Sequence, residues 1–294
     1  HGKFHNKASD YGLDILKFVK GAAWGDVNND GRPDLMVSVL GDSNILFLNQ
    51  GDGQEMKRLK DSGVEKYFYS FPTWFFDFNN DGLLDIYLGF FSNDPDLFVD
   101  RLLGKLNVDG GVVLLNQGDL SFEPLKDSGL NLESYNTMGA NFGDVNGDGF
   151  LDYFVGTGAP SLSCLVPSEF YLNLNGRDIK NTTIDFGLAH LQKGHGISFA
   201  DIDYDGDLDI YIVNGGWYPV DTFNNSLFIN SISSKHWINL HLVGIESNRF
   251  AIGARVKLTA IDSNGVPHYI YRTIGSGGSF GSNPYEELIA FSDY

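Results

Sequence analysis

Four nine-residue segments of this 294-residue chain share the pattern D-x-[DN]-x-D-G-x-x-D. Their side-chain oxygens fall on Asp26, Asn28, Asp30 and Asp34; Asp77, Asn79, Asp81 and Asp85; Asp144, Asn146, Asp148 and Asp152; and Asp201, Asp203, Asp205 and Asp209. Oxygens at positions one, three, five and nine of such a loop can turn toward one centre. Position seven would add a backbone carbonyl, from Arg32, Leu83, Phe150 and Asp207. The glycine at position six (Gly31, Gly82, Gly149, Gly206) permits the sharp turn that folds the loop back. A set of hard oxygens without Cys or His selects Ca²⁺ over zinc or copper, and Mg²⁺ suits it less because Mg²⁺ keeps its waters in a strict octahedron. One such segment would pass for an ordinary acidic turn. Four in phase, each with the same flanks, point to about four bound Ca²⁺ ions.

Charge agrees with this reading. Thirteen of the 38 acidic residues stand at positions one, three, five and nine of these loops, within a chain of net charge −18. Carboxylates gathered at about 5 Å repel one another unless a cation lies among them, so metal binding and folding should be coupled. The same negative surface repels phosphate backbones and anionic lipid, which argues against nucleic-acid binding and membrane adsorption. No run of eighteen apolar residues exists, so membrane insertion is not expected. Cys164 is the only cysteine and cannot form an internal disulfide. The start at His1, without Met, suits a processed chain.

Strands must position these loops. Each acidic segment runs into an apolar stretch: Leu35–Val37, Ile86–Leu88, Tyr153–Val155 and Ile210–Val213. A second apolar run then closes on Asn49, Asn116, Asn173 or Asn230, and Q-G-D follows the first two. Leu59-Lys-Asp-Ser-Gly63 recurs as Leu125-Lys-Asp-Ser-Gly129. The runs are short, aromatic and β-branched, and bounded by Gly, Asn and Asp. The predicted fold is all-β: a β-propeller-like array of four four-stranded repeats over residues 1–234, then a small β module over 235–294. A solenoid is the structural alternative. Trp24, Phe75, Phe142 and Phe199 each lie two residues before a first ligand and should pack between neighbouring blades. The longer connections, 92–111, 157–168 and 214–226, should gather on one face and meet partners there.

These repeats resemble the calcium-binding FG-GAP/VCBS repeats of integrin α-subunit propellers. The stretches Trp237–Ile245, Ser247–Val256 and Gly275–Asn283 resemble the ASPIC/UnbV module that follows such repeats in the cartilage acidic protein family and in bacterial secreted proteins. The resemblance implies a Ca²⁺-dependent extracellular or cell-surface propeller used for adhesion or matrix contact, and implies no reaction. Two features depart from it. Four units are visible where the family has seven blades, and the tail lacks the family's G-L-G turn near Glu287–Tyr294. A fragment, a short member and an arc closed by other units all remain open, and an open arc favours homo-oligomeric or other assembly.

The remaining constellations carry less. Gly277-Gly-Ser-Phe-Gly281 fits G-x-S-x-G, but no His follows it, and it reads as a glycine-rich turn. His190 and His195 show no ligand spacing, and His1 has no second His to complete a copper site. Cys164 has no base beside it. Trp217 and Tyr218, in a long loop, suit contact with sugar or protein. Asn181-Thr-Thr183 and Asn224-Asn-Ser226 are glycosylation acceptors by pattern. The expected function is therefore an extracellular calcium-binding adhesion or structural protein that engages protein or glycan through propeller-face loops. A self-assembling surface or filament subunit, and a glycan-active enzyme on a propeller scaffold, are the alternatives.

Overall fold

The computed structural model describes residues 2–51, 53–92, 94, 96, 99, 103, 111–125, 136–158, 166–216, 218–219, 222–232 and 236–291. Cys164, Trp217, the second L-K-D-S-G copy after Leu125 and much of the connections at 92–111 and 157–168 fall outside these residues.

Alternating apolar runs separated by glycine-bearing loops give nineteen strands among the described residues. The first sheet holds β1 (Val19–Gly25), β2 (Asp34–Val39), β3 (Ile45–Leu48) and β4 (Lys57–Arg58). The second holds β5 (Ser70–Phe76), β6 (Asp85–Phe90), β7 (Val112–Asn116) and β8 (Phe122–Pro124). The third holds β9 (Thr137–Gly143), β10 (Asp152–Thr157), β11 (Glu169–Asn173) and β12 (Ile179–Asn181). In each, consecutive strands pair antiparallel in chain order, which is the meander of a propeller blade.

The fourth sheet has three described strands, β13 (Lys193–Ala200), β14 (Asp209–Gly215) and β15 (Ser226–Phe228). Blades one to three turn from third to fourth strand through glycines at positive φ, Gly51, Gly118 and Gly176, whereas Asn230 is followed by Ser-Ile-Ser-Ser with no glycine. The chain then forms β16 (Trp237–Leu240), β17 (Arg255–Ile261), β18 (Pro267–Thr273) and β19 (Glu287–Ala290), which pair as β16–β19 and β17–β18.

Blades stack face on face, and the repeat register decides which face meets which neighbour. The first apolar residue after position nine faces the preceding blade: Ile86, Tyr153 and Ile210 lie in the interfaces with blades one, two and three. The next residue faces the following blade: Met36, Tyr87 and Phe154 are fully buried there. A one-residue offset thus assigns the two faces of every sheet. Blade one has no preceding blade. Its free face (Leu35, Val37, Ile45, Phe47) is covered instead by an N-terminal strap through Leu13 and Ile15, helped by Met56.

The aromatics before the loops follow the same logic. Phe75, Phe142 and Phe199 pack in interfaces. Trp24 departs from the expectation: it is 58% exposed, with no preceding blade among the described residues to cover it.

Candidate metal centres and the tail that docks on them

Each acidic loop joins the first strand of a blade to the second, and all four fold alike. Position four takes a left-handed φ (Asn29, Asn80, Gly147, Tyr204), and so does position six, with φ of 82° to 94° at its four glycines. Two left-handed residues so close together curl the loop inward, and its own amides then hold the acidic side chains.

In the first loop Asp26 accepts from the amides of Asp30 (3.0 Å) and Gly31 (2.8 Å), Asn28 Oδ1 accepts from Asp30 (3.2 Å), and Asp30 Oδ1 accepts from Arg32 (2.9 Å). The second loop repeats this through Asp77, Asn79 and Asp81, with Leu83 as the last donor. Asp144, Asn146 and Asp148 do so in the third, with Phe150. In the fourth, Asp201 accepts from Asp205 and Gly206, and Asp205 from Asp207. Positions one, three and five therefore converge. Ligand oxygens of Asp201, Asp203 and Asp205 lie within 4.8 Å of one another.

Position nine, expected as a ligand, is also tied to the sheet. Asp34, Asp85, Asp152 and Asp209 are fully buried, and each spends one oxygen on the amide of position two and the other on the amide of the Asn that closes the third strand. For Asp152 these bonds are 2.9 Å to Val145 and 2.9 Å to Asn173. Burial explains the assignment, since amides at the loop base would otherwise be orphaned. Position nine thus acts first as a bracket between loop and sheet.

Position seven brings two side chains that the backbone-carbonyl expectation did not include. Arg32 pairs with Asp30 and donates from Nε to Asn49 O at 3.0 Å. Asp207 is buried, and neither of its carboxylate oxygens has a hydrogen-bond partner. Such a carboxylate is costly without a cation.

The acids carry the mark of this crowding. Burial raises Asp34 and Asp77 to about 6 and Asp144 to about 7, the last against the opposing field of Arg272. Asp85 and Asp152 rise well above the carboxylate range, chiefly through burial. Asp207 rises to about 7 through burial and repulsion from Asp205, Asp209 and Asp203. The residues present fit a hard divalent cation: an all-oxygen donor set, converging side chains and an unpartnered buried carboxylate. A bound cation would return these groups to the ionised form.

Sequence reasoning missed two further sets of residues. The Asn that closes the third strand is a clamp between blades in blades two to four. Asn116 Nδ2 donates to Val27 O of the preceding blade at 2.9 Å, Asn173 to Phe78 O at 2.8 Å, and Asn230 to Val145 O at 2.8 Å. Its recurrence in the repeat was the available signal.

The other set is the tail. Arg272 donates to Gly149 O (3.2 Å), pairs with Asp144 (3.3 Å) and meets Glu287 (3.2 Å). Arg255 donates to Gly82 O, and the Tyr271 amide donates to Asn80 Oδ1 at 3.1 Å. A Cβ on Gly206 would overlap the Trp237 indole. Hence the position-six glycines of loops two to four do more than turn the chain, since the tail rests on them.

Further along, Ser279 and Ala140 exchange backbone bonds, and Asn283 bonds Phe142, Phe199 and Asn141. Residues 277–281 are therefore a turn laid against inner strands, with no helix after them among the described residues. Between tail and blades lies a cavity of about 850 Å³ bordered by Trp24, Trp74, Tyr204, Arg255, Arg272 and Glu286. His190 stacks between Phe154 and Phe228, and burial lowers its pKa. His195 Nδ1 lies 3.1 Å from Lys193 O. At the glycosylation patterns, Asn181 and Asn224 are exposed, while Thr183 is buried and bonded to Asn181 Oδ1.

Known proteins agree with the repeat at its first copy. A family model described as FG-GAP-like repeat matches residues 26–88, from the first acidic loop across the second and into β6. No curated protein matches the chain. Among 23 matching chains of solved structures, one described as "Structure of Dos1 propeller" aligns at 12% identity with a TM-score of 0.40. The alignment covers 68% of this chain, which spans 43% of that one. No helix among the described residues is long and apolar enough to cross a membrane.

Proposed function

We propose that this chain is an extracellular calcium-binding adhesion or structural protein, whose four loops each take a Ca²⁺ ion and thereby rigidify a face that engages protein or glycan. The observation that carries the reading is the common loop geometry: in all four copies the same amides aim the oxygens of positions one and five inward, and the fourth adds the unpartnered Asp207. Positions one, three and five of each loop would hold the ion, with the position-nine carboxylate fixing the loop base to the sheet. The ion supplies charge neutralisation and cross-linking. An extracellular setting suits it, since millimolar Ca²⁺ there can saturate modest sites. The tail, with its ASPIC/UnbV-like stretches, would transmit loop order to the inner strands through Arg272, Tyr271 and Trp237.

Thermal melting in Ca²⁺, Mg²⁺ and chelator tests this. Calcium should raise Tm by several degrees over chelator, with Mg²⁺ giving a smaller shift. Equal melting in all three would remove the calcium reading.

A further inference from the structure

The residue at position four ties one acidic loop to the next. In loops one and two it is Asn, held at left-handed φ of 59° and 56° between two of the converging oxygens. Each of these Asn side chains reaches the following blade. Asn80 Nδ2 donates to Gly149 O of loop three at 2.7 Å, and Asn29 Nδ2 donates to Gly82 O of loop two at 3.4 Å. The receiving carbonyl belongs to position six, and the same peptide unit carries the position-seven N–H. That N–H holds a candidate ligand: Phe150 N donates to Asp148 Oδ1 at 2.9 Å, and Leu83 N donates to Asp81 Oδ1 at 2.8 Å. One planar peptide thus lies between the Asn of one loop and the position-five carboxylate of the next. Hydrogen bonds arranged in such a chain polarise and strengthen one another.

The link made by Asn80 is the firmer of the two. Its Oδ1 accepts from the Tyr271 amide at 3.1 Å, and Arg272 adds a second donor to Gly149 O at 3.2 Å. The Asn29 link is exposed, and its 3.4 Å is long for an N–H···O bond. Loops three and four lack the device. Gly147 stands at position four of loop three and has no side chain with which to reach Gly206 O. The Asn clamp does not make this difference, since it joins all three pairs of blades alike.

Resting on the calcium reading of the loops, we propose that loops two and three take up Ca²⁺ as a coupled pair, with Asn80 as the positioning residue that joins them. Loop one is coupled weakly, and loop four binds independently. Asp148, drawn inward in a loaded loop three, fixes the 149–150 peptide. The fixed carbonyl holds Asn80 in its left-handed turn. Asn79 and Asp81, on either side of it, are then ordered before loop two is loaded, so less entropy is lost there. Linkage makes the effect reciprocal, so each loop favours the other by one factor. A single hydrogen bond sets that factor at about three- to tenfold.

Hydrogen exchange of the full chain, read by mass spectrometry over a Ca²⁺ series, tests this loop by loop. Asp77→Asn with Asp81→Asn disables loop two and keeps its shape. The Ca²⁺ concentration that half-protects loop three should then rise about three- to tenfold, whereas Asp201→Asn with Asp205→Asn in loop four should leave it unmoved. Asn80→Gly removes the donor and keeps the turn, as Gly147 does in loop three. In that background, disabling loop two should no longer move loop three; a shift caused only by the lost charges would persist. Melting curves check that the variants fold, and the loop-two and Asn80 arms each decide alone. Loop three unmoved by the loss of loop two, or a shift that survives Asn80→Gly, would overturn the coupling and leave calcium binding standing. No protection by Ca²⁺ in any loop would overturn the calcium reading and the coupling with it.

Discussion

The tail touches both the third acidic loop and the fourth, but it brings Arg272 to the third and only the Trp237 indole to the fourth. In the third, Asp144 is buried beside the Arg272 guanidinium, and Asn146 replaces one carboxylate. The fourth has Asp at positions one, three, five, seven and nine; Asp203 and Asp205 are exposed, and no arginine pairs with its acids among the described residues. The two loops therefore solve one electrostatic problem by different means. An arginine borrowed from the tail partly neutralises the third, which on the proposed calcium reading would cost cation affinity. The fourth leaves its charge unopposed and on that reading would depend most on the ion. A shared motif fixes geometry, and its surroundings set the demand for cation.

Breaking the bracket should have the largest effect and should separate the loops. Asp152→Ala orphans two buried amides in the molecule's interior and should cost about 3–5 kcal/mol in urea unfolding. Asp209→Ala breaks the same bonds to Ile202 (3.0 Å) and Asn230 (2.8 Å) at a half-exposed end, and should cost about half as much. Equal costs would show that the end of the array is as enclosed as its middle.

Arg272→Gln sharpens the comparison from the electrostatic side. Removing this cation from Asp144 should tighten Ca²⁺ at the third loop about tenfold, read by calorimetric titration, and leave the fourth unchanged. At the fourth loop, Asp207→Asn removes the unpartnered carboxylate. The metal-free protein should gain about 1 kcal/mol, while the stabilisation that Ca²⁺ adds should shrink. A loss of stability in the metal-free state would show that Asp207 has a partner in solution.

The smallest expected effect is a pH dependence at the tail. Burial raises Glu287 from its ordinary 4.5 to about 7, with Arg272 opposing and Asp144 on the far side of that guanidinium. Because the folded value is the higher one, the contribution of Glu287 is fully present below about 4.5 and is lost as pH rises through about 7. Its side chain is 24% exposed, so the slope should amount to about 1 kcal/mol or less. Glu287→Gln should flatten that part of the stability profile.

The blades were legible in the sequence because local rules write them: two-residue alternation, glycine at a left-handed position, and the return of both at each copy. The loop oxygens were legible for the same reason. What escaped was set by contacts across the chain. Arg272 meets Asp144 from 128 residues away, and nothing around either residue signals the other. The bracket role of Asp34, Asp85, Asp152 and Asp209 depends on the closing Asn amide of a later strand, a pairing visible only once the sheet exists. Trp24 was expected to pack like its three counterparts, and it is exposed because no preceding blade among the described residues covers it.

Calorimetric titration of chelator-treated protein with Ca²⁺ tests the central claim most directly. About four ions should bind per chain, and Asp201→Ala with Asp205→Ala should remove one of them while the fold is kept. Absence of binding heat at millimolar Ca²⁺, or a stoichiometry unmoved by those two substitutions, would contradict it.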